Sequence, residues 1–172
     1  MIVNTKGRRG RNWLMIILWM LYGGSSSIAS QLDGWRRPTK NDYVGDWLTY
    51  EKENPQPFYA KGDFDGDGKP DEAWILISKD GSSWGVFVFL SGRPEAILLD
   101  KKDATKIKPQ SMGISTMSPA DYKKICQVRN DPECKTLMLK NDAIDYFTYE
   151  SASSVFYWDD QNREFKRFWQ GD

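Results

Sequence analysis

The apolar and polar positions of this chain change their period several times. Residues 13–22 (WLMIILWMLY) form an unbroken apolar run of ten residues. Lys6, Arg8, Arg9 and Arg11 precede the run, and small residues, ending in Ser27-Ile28-Ala29, follow it. A bilayer span needs about 20 apolar residues. The segment therefore reads as the basic region, apolar region and small-x-small cleavage site of a signal peptide over residues 1–29, cut after Ala29. The alternative is an uncleaved N-terminal anchor. Export to the periplasm or beyond is expected, with no membrane span left after cleavage.

Beyond residue 30 the pattern is mainly that of strands. Tyr43, Val44, Trp47 and then Leu48 or Tyr50 recur at three- and four-residue spacing, which predicts a helix capped by Thr39 or Asn41 and stopped by Pro55. Residues 73–78 (AWILIS), 84–90 (WGVFVFL) and 95–99 predict an antiparallel meander, with turns at Asp80-Gly81 and at residues 91–94. The second of these is apolar on both alternating faces, so it belongs in the middle of a covered sheet. Residues 101–117 carry Lys101, Lys102, Lys106 and Lys108, read as a solvated face. Ser118-Pro119-Ala120-Asp121 has the order of cap, proline and acid that opens a helix. Residues 136–140, 143–150, 153–158 and 164–169 predict four short strands, the last two joined by a turn at residues 159–162. The expected fold is α+β and mainly β: antiparallel sheets of about six to seven strands with one or two short helices, in one domain over residues 30–172.

Composition removes several chemistries. The chain has no histidine, which excludes Ser-His and Cys-His nucleophiles, a histidine base and imidazole zinc sites. The 24 basic and 24 acidic residues balance, but four of the basic ones lie in the first 29 residues. The remaining chain has a net charge of −4 and offers no electrostatic case for nucleic acid. Cys126 and Cys134 are the only cysteines. In an exported chain such a pair reads as a structural disulfide, and closing so short a loop stabilises by roughly 2.5 kcal/mol in the chain-entropy model. A thioredoxin-like redox pair would have two intervening residues.

Chemistry concentrates in residues 62–72, GDFDGDGKPDE. Asp63, Asp65, Asp67 and Asp71 stand at positions that a tight loop can turn toward one centre, and Gly68 permits the bend. Four carboxylates so close repel one another unless a cation joins them. Oxygen ligands in that number suit a hard divalent cation, with the Lys69 carbonyl as a further ligand. The start matches an EF-hand loop, D-x-D-x-D-G-x-x-D. Its twelfth position, however, is Trp74 instead of the bidentate Glu, and a strand pattern follows where a helix should stand.

The 15 residues GDFDGDGKPDEAWIL resemble the calcium loops of FG-GAP and VCBS-type β repeats. The resemblance implies Ca2+, with Asp63, Asp65, Asp67 and Asp71 as side-chain ligands and Lys69 as a carbonyl ligand. One copy implies no propeller, which needs several blades. The chain as a whole resembles small exported proteins of Gram-negative bacteria that pair one such loop with an ESASSxFxWD-type C-terminal hairpin, here residues 150–159.

Aromatic residues crowd the C-terminal strands. Tyr146, Tyr149, Tyr157, Trp158 and Trp169 are candidates for a contact surface toward a protein or glycan; the competing reading is a sheet core. Glu150 and Asp159 are carboxylates of the type used in glycoside hydrolysis, but no spacing singles them out. The expected function is a non-enzymatic calcium-binding module that engages a protein partner in the cell envelope, an immunity or inhibitor protein being the sharper form. Glycan binding is the alternative, and carboxylate-based hydrolysis a weaker one.

Overall fold

The computed structural model describes residues 32–123 and 136–171. The expected signal peptide and the expected Cys126–Cys134 disulfide lie outside the described residues. The described chain is mainly β, with eleven strands: β1 (Trp35–Arg36), β2 (Tyr59–Gly62), β3 (Asp71–Ser78), β4 (Ser83–Phe89), β5 (Ile97–Asp103), β6 (Met112–Met117), β7 (Asp121–Lys123), β8 (Thr136–Met138), β9 (Ala143–Thr148), β10 (Ser153–Asp159) and β11 (Glu164–Gly171). The expected count of six to seven was too low. It missed four strands: β1, on the end of β3; β2, on its beginning across the acidic loop; β6, on β9; and β7, on β8.

One sheet runs β1-β3-β4-β5, with β2 also on β3; the other runs β11-β10-β9-β6; β7 and β8 form a separate ribbon. All pairs are antiparallel. The inner faces meet in one core. Ile75, Ile77, Trp84, Val86 and Val88 of the first sheet pack with Met112, Ile114, Ile144, Tyr146 and Phe156 of the second. β2 and β6 close one side of this sandwich. There the Lys61 N–H donates to the Thr116 hydroxyl, which donates back to the Lys61 carbonyl, and the Ile114 N–H donates to the Pro57 carbonyl. On the other side β5 and β11 are the last strands of their sheets.

β4 is central, as its two apolar faces require. Its outward Phe87 joins Leu76 and Ala96 in a second small core, covered by Leu32 and Trp35. The meander is longer than expected at its third strand, because β5 pairs with β4 as far as Asp103↔Ser83. Lys101 and Lys102 thus lie on an edge strand, where charge discourages further strand pairing.

Neither expected helix forms at its expected length. Residues 40–42 make a 3-10 turn in which Asp42 accepts from the Thr39 N–H at 2.7 Å. Gly45, at φ 58°, then breaks the chain before a single turn, α1 (Asp46–Thr49). The periodic Trp47 is fully buried, and its indole N–H donates to the Met112 carbonyl at 2.8 Å. The second helix start is overridden: Asp121 begins β7, and the Ala120 carbonyl accepts from the Leu139 N–H at 3.0 Å. Long-range pairing outweighs a local cap signal worth about 1 kcal/mol. Among the described residues no helix is long and apolar enough to cross a membrane.

Candidate metal centre

The acidic loop connects β2 to β3, so both its ends are fixed by the Gly62↔Asp71 pair. Phe64 anchors it from within: the ring is fully buried in the main core, and its N–H donates to Asp71 at 2.9 Å. Gly66 and Gly68 adopt φ 75° and 81°, the left-handed conformation that lets the chain turn on itself. At Gly66 a Cβ would also meet the Asn141 side chain at 2.5 Å, so the loop lies flat against the β8–β9 connection. The neighbouring Asp142 carboxylate accepts from the Asp63 N–H at 3.0 Å.

This wrapping brings Asp63, Asp65 and Asp71 together. Each offers one carboxylate oxygen, and the three oxygens lie within 4.8 Å of one another. Ligands to one ion at 2.3–2.6 Å can be up to about 5 Å apart, so the cluster could hold a metal ion. Asp71 is 1% exposed. Burial pushes its carboxyl above the usual range, opposed by hydrogen bonds from the Ser91 and Phe64 N–H groups. Asp63 carries the clearer signal. Its Oδ2 accepts from the Gly68 N–H at 3.0 Å, while its Oδ1 is buried with no hydrogen-bond donor. Buried polar oxygens are nearly always satisfied, and this one lies in the cluster that could hold an ion.

Asp67 is turned to closing the loop. Its Oδ1 accepts from the Lys69 N–H at 2.8 Å, and its Oδ2 lies 3.3 Å from the Ser91 hydroxyl and 3.6 Å from the Lys69 ammonium. Ser91, Asn141 and Asp142 support the loop from elements distant in sequence. Ser91 is legible only as a turn residue, and nothing local in the sequence assigns the other two to the loop.

The aromatic candidates separate. Tyr146 is 1% exposed and belongs to the core, not to a surface. Tyr149 stacks on Tyr50 at 4.8 Å and 9°; burial pushes its phenol up to about 12. Trp169 is 50% exposed and lies 3.8 Å from the Arg167 guanidinium. Tyr157 and Trp158 line a cleft of about 190 Å³ with Asn141, Asp142, Asp159 and Gln161, so this cleft shares a wall with the acidic loop. Glu150 precedes β10, and Asp159 is its last residue. That leaves roughly 20 Å of extended strand between them, against about 5–9.5 Å for a glycosidase pair. Glu150 is bonded to the Tyr50 hydroxyl and Asp159 to Lys166.

The chain matches no protein-family model, no curated protein and no solved structure.

Proposed function

We propose that residues 30–172 are an exported, calcium-stabilised β-sandwich that acts as a non-enzymatic binding module for a protein of the cell envelope. The observation that carries the metal part is the buried, donorless Asp63 Oδ1 within the Asp63–Asp65–Asp71 cluster. Ca2+ matches an all-oxygen donor set better than softer ions, and tolerates irregular geometry better than Mg2+. An ion there would tie β2 to β3 and, through the Ser91 N–H on Asp71 at 2.7 Å, to the turn after β4. The module is then a rigid scaffold, and rigid surfaces bind with a smaller ordering cost. The sharper form is an immunity or inhibitor protein that blocks a periplasmic toxin or a cell-wall hydrolase.

Calorimetric titration of residues 30–172 with CaCl2, beside the Asp63→Asn variant, tests the metal. One site at roughly 0.1–1 mM, lost in the variant, is expected; no heat in the wild type sinks the reading. Inhibition of purified cell-wall hydrolases by the calcium-loaded protein tests the partner class. A glycan reading is favoured by the cleft beside the loop, where Tyr157 and Trp158 stand among amides and carboxylates. It predicts fluorescence shifts with peptidoglycan fragments, abolished in Trp158→Ala.

A further inference from the structure

A second cleft, of about 320 Å³, opens on the side of the sandwich where β5 and β11 end their sheets. Ile97, Leu99, Phe156 and Phe165 form its apolar lining. Arg93 and Arg163 approach from the two walls. Among the described residues neither guanidinium makes an ion pair, whereas Arg36, Arg37 and Arg167 each face a carboxylate. Arg93 stands over the Trp158 ring at 4.9 Å, in the turn whose Ser91 is bound to Asp71. Arg163 holds φ 55° at the end of the β10–β11 turn. A side chain pays for that left-handed conformation, and glycine would not. Glu164 is the one acid on the cleft.

We propose that this cleft binds a free, single-chain amphiphile with an oxyanion head, carboxylate or phosphate. The apolar lining takes the chain, and the two unpaired guanidiniums take the head, since Arg matches the planar geometry of such groups. The volume is at the small end of ligand pockets, about 300–1,000 Å³, which suits one chain and not two. Arg163 is retained in a strained backbone position because its charge is used. This site is distinct from the metal cluster, and nothing in its recognition chemistry requires an ion there.

Isothermal titration of residues 30–172, in CaCl2 and again in chelator, uses decanoate and decyl phosphate as probes. Decanol, inorganic phosphate and decyltrimethylammonium serve as controls. Saturable one-to-one binding of a decyl anion, at least tenfold tighter than any control, is expected. Arg163→Gly should weaken it about tenfold while raising the unfolding temperature by roughly 1–4 °C. Arg93→Gln should weaken it similarly, and Glu164→Gln should strengthen it a few-fold. The proposal is overturned if decanol binds as tightly as decanoate or if Arg163→Gly binds like wild type. It is equally overturned if the protein binds only anionic vesicles and not the free amphiphile. Loss of the calcium signal with decanoate binding intact would sink the metal reading alone.

Discussion

Asp100 on β5 and the acidic loop before β3 both press carboxylates against the core, and their surroundings differ in one respect. Asp100 carries its own counter-charges. The Tyr146 hydroxyl donates to it at 3.1 Å, Lys102 lies at 3.1 Å and the Arg167 guanidinium at 3.6 Å. Arg167 is itself held, stacked against Trp169, Tyr146 and Phe156 and donating to Ser154 at 2.9 Å. Burial, reinforced by Asp100, pushes the Tyr146 phenol far above its ordinary range, so it stays a donor. The loop gathers Asp63, Asp65 and Asp71, none of which makes an ion pair among the described residues, and the Lys69 ammonium is engaged by Asp67. A carboxylate cluster that the chain leaves uncompensated could hold a metal ion; one that the chain compensates has no such need.

The first way to break this comparison is to remove the internal cation. Arg167→Ala leaves Asp100 facing the core with Lys102 alone and strips three rings of their partner. It should destabilise by about 3 kcal/mol, the low end for breaking a buried pair because Arg167 is partly exposed, read as a shift of denaturant midpoint at constant slope. Chelator should leave that loss unchanged.

Asp145 on β9 gives a third case: its Oδ1 is buried, without a donor, and among the described residues no metal cluster includes it. Burial pushes its carboxyl up to about 6, with a hydrogen bond from Ser115 opposing. The unfolded value is about 3.9. A raised acid binds its proton more tightly in the folded state, so its penalty is absent below about pH 4, grows between pH 4 and 6, and is full above. Asp145→Asn should therefore raise stability by roughly 2–3 kcal/mol at pH 7 and by little at pH 4. Unfolding of both proteins across pH 4–8 measures it; a difference independent of pH would remove the carboxylate as the cause.

Calcium comes next. At ~1 mM ion and ~0.1 mM affinity the gain is about 1.4 kcal/mol, or roughly 3–5 °C in unfolding temperature for a chain of this size. The shift should vanish in Asp63→Asn and persist in Arg167→Ala, which would separate the two kinds of carboxylate cluster directly. The smallest effect is at Arg163, where glycine should gain a few tenths to about 1 kcal/mol by relieving the left-handed backbone.

Much of this molecule is written locally. The antiparallel meander, the central place of the doubly apolar β4 and the last hairpin follow from period-two alternation and turn residues, because a strand's faces and a tight turn are properties of adjacent residues. The acidic loop is legible for the same reason: Asp63, Asp65 and Asp71 need only a short bend to meet. The two helices were misread. Gly45 interrupts one, and the pairing of β7 with β8 captures the other, and neither competitor is visible in a window of a few residues.

Tertiary structure alone decided the rest. Which aromatic residues face the core, the seat of the loop on Asn141 and Asp142, and the placing of Arg93 and Arg163 on one cleft all depend on contacts across tens of residues. The sequence by itself determined where charge and apolar surface are concentrated, since those are sums over neighbouring side chains. Only the packing of two sheets, joined at β2 and β6 and bridged between β5 and β11 by Arg167 and Asp100, determined which charges are paired internally and which are not, because compensation is a matter of distance in space.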